Sequence, residues 1–401
     1  MRGTLPLSRP HIRARSVRKD RRMRVLHTSD WHIGRIWSGV DLLETQRQFG
    51  SWLCDLVRSE KIDAVLISGD IYDRAIPNAE AVATADEIFG NLADAGASIV
   101  AISGNHDSAD RLNFGSRFMA QSGLFIRTER SNLASLGKPI VLSASSGSVE
   151  IVCLPFLEPN RVELPEEQGN RTHENVLRVA LDHQRTLVKD ASRAIVMAHA
   201  FVGGGQASDS ERELLTVGGT SMVNHHLFDG FGYVALGHLH RPQQFGEKGN
   251  VVYSGSPISY SFSEQHEKSV VILDTETMTS RKVPVGIGRG VTTITGELAD
   301  ILRSAEYKHA EQMFVRIELT DEKIQIGAME RVRERFPYTL DLRQRAVGSS
   351  GTIEELVGGK ARSIAEEVGA YMEQYFPLAD HPFKHELANK AVATVATSDE
   401  G

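Results

Sequence analysis

Apolar residues in this chain gather in short runs that each break off at a polar tip. Residues 24–28, 64–68, 98–102, 194–197 and 233–236 are such runs, rich in Val, Ile, Leu and Ala and without strict alternation. A run that does not alternate has no face left for water, so each predicts a strand buried on both sides. Between some of them the period lengthens. Across residues 42–57, Phe49, Trp52, Leu53, Leu56 and Val57 recur at helical spacing, and the Ala-rich stretch 79–94 closes at Gly96. Strands alternating with helices predict an α/β sandwich with its helices outside the sheets. Further strands are expected at 151–154, 251–253 and 270–273.

Near residue 285 the texture changes. Val285-Gly-Ile-Gly-Arg-Gly290 reads as a linker. Beyond it Val315, Ile317 and Leu319 alternate with Arg316, Glu318 and Thr320, the pattern of a half-buried strand. Ile326, Met329, Val332 and Phe336 follow at helical spacing, and residues 338–342 read as a returning strand, so a small βαβ module is expected at about 290–345. Past Gly351, Ile364, Val368, Tyr371 and Tyr375 form an apolar helical stripe that either packs on this chain or docks a partner. The Gly/Ser-rich stretch 203–219 reads as a mobile loop, and no internal repeat is present.

Composition narrows the class. With 401 residues, 41% hydrophobic and 24% charged, the chain is neither largely disordered nor collagen-like. No apolar stretch approaches the roughly 18 residues of a membrane span, so no membrane association is expected. Cys54 and Cys153 are the only cysteines and form no C-x-x-C pair, which excludes a disulfide scaffold or a thiolate zinc site and suggests a reducing cytoplasm. The net charge of −7 is uneven. Residues 1–22 hold eight Lys/Arg and one Asp, a net of +7, leaving residues 23–401 with 37 basic and 51 acidic side chains, a net of −14. The basic lead has no apolar core of a secretory signal. It reads as a disordered extension or as the product of a start upstream of Met23; the competing reading is an arm for nucleic acid. The acidic remainder argues against a protein that grips DNA unaided.

The polar tips carry the chemistry. In chain order they are Asp30-Trp-His32, Gly69-Asp70, Gly104-Asn-His-Asp107, His199 and Gly237-His-Leu-His240. Ligands of α/β sheets bind beyond the carboxyl ends of strands, so these tips are expected to converge. A small residue precedes three of them, which lets the backbone turn sharply. An oxygen- and nitrogen-rich set without sulfur suits Mn, Zn, Fe or Co. Seven ligands exceed what one tetrahedral ion needs, whereas two ions sharing a carboxylate can hold both sides of a phosphate. Any one of the fifteen histidines is more often structural than metal-binding, and Asp-x-His or Gly-Asp alone says little; the ordered set is what points to metal.

That order resembles the calcineurin-like metallophosphoesterases. Carried over by position, the resemblance implies one ion on Asp30, His32 and His240, another on Asn105, His199 and His238, and Asp70 between them. His106 would stand beside the phosphate as general acid or transition-state stabiliser, with Asp107 orienting it. The wider text is similar to the SbcD nuclease family: His27-Thr-Ser-Asp-Trp-His-Ile-Gly34, Gly69-Asp-Ile-Tyr-Asp73, Gly104-Asn-His-Asp-Ser108, Gly237-His-Leu-His-Arg-Pro242, and Tyr253-Ser-Gly-Ser-Pro257 with Tyr260-Ser-Phe-Ser263. Archaeal and eukaryotic members of that family often carry His where Asp73 stands, so the role of Asp73, orienting His106 or guiding DNA, is left open.

The resemblance implies a four-layer αββα metallophosphoesterase sandwich with a small C-terminal α+β capping domain and a helical tail. Its divisions would be a basic extension at 1–22, a nuclease domain at 23–285, a capping domain at 286–348 and a partner-docking tail at 349–401. It implies two divalent ions, manganese foremost. The activity would be that of a 3′→5′ exonuclease on duplex DNA and an endonuclease on single strands and hairpins. It would work with an SMC-like ATPase of the SbcC type in a complex of two copies each, in repair and recombination. Two other classes compete. Gly69-Asp-Ile-Tyr-Asp-Arg74 superficially resembles a Ser/Thr phosphatase motif, which would make the substrate a phosphomonoester, although Ala75 departs from that motif. The remaining class is a scaffold with a vestigial metal site.

Overall fold

The buried runs pair into two six-stranded sheets. The structure, a computed structural model, describes residues 22–128, 132, 136–144, 147–164, 170–211 and 222–344. The first sheet runs Thr279–Pro284, Ser269–Asp274, Arg24–Thr28, Ala64–Ser68, Ser98–Ile102, Leu124–Arg127; the last four strands are mutually parallel. The second runs Gln243–Phe245, Val251–Tyr253, Tyr233–Gly237, Ile195–His199, Gly147–Leu154, Ile140–Ala144, with four parallel strands between two antiparallel edges.

Side chains of each central strand divide between two cores, as the lack of alternation requires. Val65 and Ile67 point outward and pack with Leu43, Phe49 and Leu53 of the Leu43–Glu60 helix and with Ala85 and Ile88 of the Ala79–Asp94 helix. Ala64 and Leu66 point inward, where they meet Met197, Tyr233 and Ala235 of the second sheet. The outer face of the second sheet, with Val152, Val196 and Val234, is covered by Val176, Leu177, Ala180 and Leu181 of the His173–Arg185 helix. The result is the expected αββα sandwich, with three apolar layers sealed between four layers of secondary structure.

The module after residue 290 has more in it than the expected βαβ. Val291–Gly296, Phe314–Leu319 and Thr339–Gln344 form a three-stranded sheet that is parallel throughout. Its first strand, Val-Thr-Thr-Ile-Thr-Gly, holds only two apolar residues, too few for a periodic signal. The helices Leu298–Arg303 and Ala328–Arg335 cover one face through Leu298, Ile301 and Val332. The other face meets the sandwich, where Phe314 and Val291 pack with Leu42, Ile258, Tyr260 and Phe262, and the Arg316 guanidinium lies 4.4 Å from the Phe262 ring centroid. Ile326 is a correction. Its spacing places it on the apolar stripe of the 328–335 helix, but it precedes the helix, which opens after Gly327 at φ 68°, and it is 91% exposed.

The apolar stripe Ile364–Tyr375, the tail 349–401, all but Arg22 of the basic lead and residues 212–219 of the Gly/Ser-rich loop lie outside the described residues. Among the described residues, no helix is long and apolar enough to cross a membrane.

Candidate metal centre

All five polar tips sit at the carboxyl ends of parallel strands, and the two sheets bring them to one edge of the sandwich. Neighbouring loops are zipped together by backbone bonds: Asp30 N–H donates to Gly69 O at 3.0 Å and His32 N–H to Asp70 O at 3.0 Å. Gln46 of the first long helix braces the same loop, its amide donating to Trp31 O and His32 O at 3.1 and 2.7 Å. The backbone is strained where the chemistry sits. Asp30, His32, Asp70 and His238 have φ of 54°, 45°, 50° and 110°, four of the seven described non-glycine residues at positive φ. Such angles cost of order 1–3 kcal/mol each and persist where the surrounding structure over-determines them.

The three small residues before the tips act differently from one another. Only Gly69, at φ +94°, needs a glycine for its backbone angle. Gly104 and Gly237 are needed for space. A Cβ on Gly104 would lie 2.1 Å from Asp70 Oδ1, and one on Gly237 would lie 1.9 Å from Ser68 O. The sharp turn expected at all three is therefore present at one, and close approach of chains explains the other two.

Two buried clusters of ligand atoms result, Asp30 with His32 and His240, and Asp30 with Asp70 and His199. Asp70 Oδ2 lies between them, 3.7 Å from His32 Nε2 and 3.5 Å from His199 Nε2. Asn105 Oδ1 is 2.9 Å from His199 Nε2 and 3.2 Å from His238 Nδ1. His238 also donates its backbone N–H to Asp30 Oδ1 at 3.0 Å. The structure thus brings together all seven residues expected to hold metal.

The ring nitrogens are arranged as cation ligands would be. His199 Nδ1–H donates to Ser68 O at 2.8 Å, so in the neutral ring the lone pair of Nε2 faces the Asn105 and Asp70 oxygens with no proton between them. Nε2 of His32 and Nε2 of His240 face each other at 3.1 Å. His32 Nδ1 is buried without a hydrogen-bond partner, 3.7 Å from Asp73 Oδ1. In the neutral rings, either tautomer of His32 leaves a nitrogen badly matched, and a cation on the Nε2 side removes the conflict. Burial and neighbouring imidazoles hold the pKa of His32 and His238 well below the usual value, so both are neutral, as ligands must be. Burial raises the pKa of Asp30, and the nearby Asp70 carboxylate adds to this.

His106 and Asp107 take unexpected partners. The expectation for Asp107 is that it orients His106, but its carboxylate accepts from the backbone N–H groups of Ile71, Tyr72 and Gly104 at 3.1, 3.0 and 2.9 Å. It braces two loops. The His106 ring is held by the main chain of Asp73, whose carbonyl accepts from Nδ1–H at 2.8 Å, and the His106 backbone N–H donates to Asp70 Oδ1 at 2.9 Å. The Asp73 carboxylate accepts from Arg35 at 3.0 Å and faces His32. Arg74 is exposed, with its only ion pair among the described residues reaching Asp73 at 3.8 Å.

Sequence reasoning missed the shell behind His240. Its Nδ1 lies 2.7 Å from Ser210 Oγ and 3.3 Å from Glu264 Oε1, and its backbone N–H donates to Glu211 Oε1 at 2.7 Å. Burial opposes charge on this ring, but Glu264 and Glu211 outweigh it and raise its pKa. Glu264 and Lys268 are four apart in a stretch otherwise lacking helical or strand pattern, and nothing in the sequence marks the pair as buried.

The family model for calcineurin-like phosphoesterases matches residues 23–242, and a model described as the type 5 capsule protein repressor C-terminal domain matches residues 288–367. A protein of Staphylococcus saprophyticus, named as the D-type subunit of nuclease SbcCD, is 32% identical over 327 residues, spanning 80% of this chain and 84% of its own. Its namesake in Staphylococcus epidermidis is 32% identical over 326 residues, spanning 80% and 85%. The solved structure of TT1561 from Thermus thermophilus overlaps 66% of this chain and all of its own at a TM-score of 0.38 and 13% identity.

Proposed function

We propose that this chain, which belongs to the calcineurin-like phosphoesterases and within them to the SbcD nuclease family, hydrolyses the phosphodiester bonds of DNA at the joined tips of its two sheets. The observation that carries this reading is the convergence of ligand atoms across a buried space, with Asn105 Oδ1 and Asp70 Oδ2 set against His199 Nε2 and with His32 Nε2 set against His240 Nε2 and Asp70 Oδ2. Asp30, His32 and His240 would hold one divalent ion and Asn105, His199 and His238 the other, with Asp70 shared. Manganese is the ion this reading favours. Bound there, the ions would supply Lewis acidity and a water ionised near neutral pH.

The chain's own residues do the rest. Asp70 Oδ1 and the Asp73 carbonyl fix His106 at its backbone and at Nδ1, which leaves Nε2 as the exchanging position. Protonated there, His106 stabilises a phosphoryl oxygen or protonates the departing sugar oxygen. Asp107 keeps the Gly104 and Ile71–Tyr72 loops in register, so it serves as a positioning residue. Asp73 acts through its carbonyl on His106 and through its carboxylate near His32.

The relatives' name makes each of them one subunit of a nuclease called SbcCD. On that basis the chain would work with a partner of the SbcC type; the family resemblance makes that partner an SMC-like ATPase, with two copies of each, in the cytoplasm, in repair and recombination of DNA. The sandwich at 23–285 would carry the chemistry, the sheet at 286–348 would cap it, and the tail at 349–401 would dock the ATPase. The net charge of −14 beyond residue 22 is consistent with DNA grip shared with that partner.

End-labelled linear duplex, hairpin and single-stranded DNA, incubated with Mn2+ and with or without the co-purified ATPase, test this. The expected outcome is ATP-dependent 3′→5′ degradation of duplex and endonucleolytic cutting of hairpins and single strands. Metal-replete protein inert on every DNA, or efficient on phosphomonoesters alone, contradicts the proposal and favours the phosphatase reading.

A further inference from the structure

His240 is held more elaborately than any other residue of the site. Its backbone N–H is taken by Glu211, its backbone oxygen accepts from Lys268 Nζ at 3.4 Å, and its ring Nδ1 faces Ser210 and Glu264. Glu264 itself is completely buried. Its two carboxylate oxygens divide their partners. Oε2 pairs with the ammonium of Lys268, which is also buried, while Oε1 is turned toward His240 Nδ1 and accepts from the hydroxyl of Ser210.

A buried Glu–Lys pair is a poor way to stabilise a core, because apolar residues of the same volume commonly do as well. Its placement needs another reason, and the ring supplies one. With Nδ1–H directed at Ser210 Oγ, 2.7 Å away and itself donating to Glu264 Oε1, and at Glu264 Oε1, 3.3 Å away, the Nε2 lone pair of His240 is turned toward His32 Nε2 and the Asp30 cluster. A carboxylate behind an imidazole fixes both its tautomer and its rotation and strengthens it as a donor. The other half of the site is built differently: His199 Nδ1 is held by a neutral main-chain carbonyl, that of Ser68.

We propose that Glu264, supported by Lys268, is the positioning residue of His240, and that it sets the affinity for one of the two divalent ions and not for the other. This rests on the reading of the centre as a two-ion site. The turn that carries Glu264 also carries Tyr260, whose hydroxyl donates to Trp31 O, and Phe262, which packs against Phe314 of the small sheet's apolar contact.

Mn2+ titration of the purified full-length chain against a competing chelator tests it, together with the melting temperature of the metal-free form. Wild type is expected to bind two ions. Glu264→Gln should weaken one roughly tenfold to a hundredfold, the usual cost of losing such a support, and leave the other unchanged. Glu264→Gln strands the Lys268 ammonium, so Glu264→Gln with Lys268→Met is the companion variant and should show the same selective loss. Should neither variant fold, wild-type protein labelled with 15N at histidine and titrated with Zn2+ decides: His240 Nδ1 should stay protonated while Nε2 shifts. A folded variant with both affinities intact, or a His240 that binds metal through Nδ1, overturns the proposal. A wild type that binds no ion fails the two-ion reading itself and shows that failure before any variant is made.

Discussion

Single residues in this chain are governed by burial. His27 lies wholly inside the sandwich, its Nε2–H donating to Leu236 O and its Nδ1 accepting from Tyr233 Oη, both at 3.1 Å. Burial pushes its pKa down to about 3, so the folded state keeps it neutral. The unfolded chain takes up a proton near the ordinary histidine value of about 6.5. Stability from this residue is therefore complete above about pH 6.5 and is lost as the pH falls toward 3, by roughly 1.4 kcal/mol for each pH unit. Urea unfolding at pH 7 and pH 5 should show this acid loss in wild type and a shallower one in His27→Gln; equal slopes would contradict it. Asp107 gives a second prediction. Its carboxylate satisfies three backbone N–H groups, so Asp107→Ala should cost about 3 kcal/mol or more in unfolding experiments, given roughly 1–3 kcal/mol for each stranded donor. His106→Ala, by contrast, removes no such brace. It should lower DNA cleavage by about a hundredfold or more while both ions stay bound, which elemental analysis of the purified variant checks.

At the scale of elements, the site exists because strand ends of two sheets press together. Gly237 marks the tightest approach, with no room for a Cβ against the Ser68 carbonyl. Main-chain atoms cannot step aside, so Gly237→Ala should destabilise the fold by about 1–3 kcal/mol and shift His199, which lies 2.9 Å from the same Cβ position. A stability within error of wild type would show that the strands tolerate separation. The same packing explains what was legible in the sequence. The central strands and both long helices of the first half could be read because burial on both faces leaves an unbroken apolar run. The candidate ligand set could be read because each member lies at the end of such a run. The strand Val291–Gly296 was hidden, since its pairing with Phe314–Leu319 is main-chain hydrogen bonding and most of its side chains are Thr. The partner of His106 was hidden for the same reason: a backbone carbonyl has no residue type. Glu264 escaped because its role depends on a fold-back of the 256–268 segment that no periodicity records.

For the whole molecule, charge is divided unevenly between the lead and the body. The body carries −14 and the first 22 residues +7. If the lead is idle, removing residues 1–22 leaves both the rate of DNA cleavage and its salt dependence unchanged; a shallower salt slope after removal would show that its cations meet phosphates. The small parallel sheet is fastened to the sandwich beside the metal centre, through Phe262, Phe314 and Trp37, whose rings lie 4.9–5.4 Å apart. The proposed function rests on seven side chains holding two ions in fixed groups. Crystals of the protein soaked in Mn2+ and measured at the manganese absorption edge test that most directly. Two anomalous peaks are predicted, one among Asp30, His32 and His240, the other among Asn105, His199 and His238, with Asp70 touching both. A single peak, or one seated on the His32, Asp73 and His106 group instead, would contradict it.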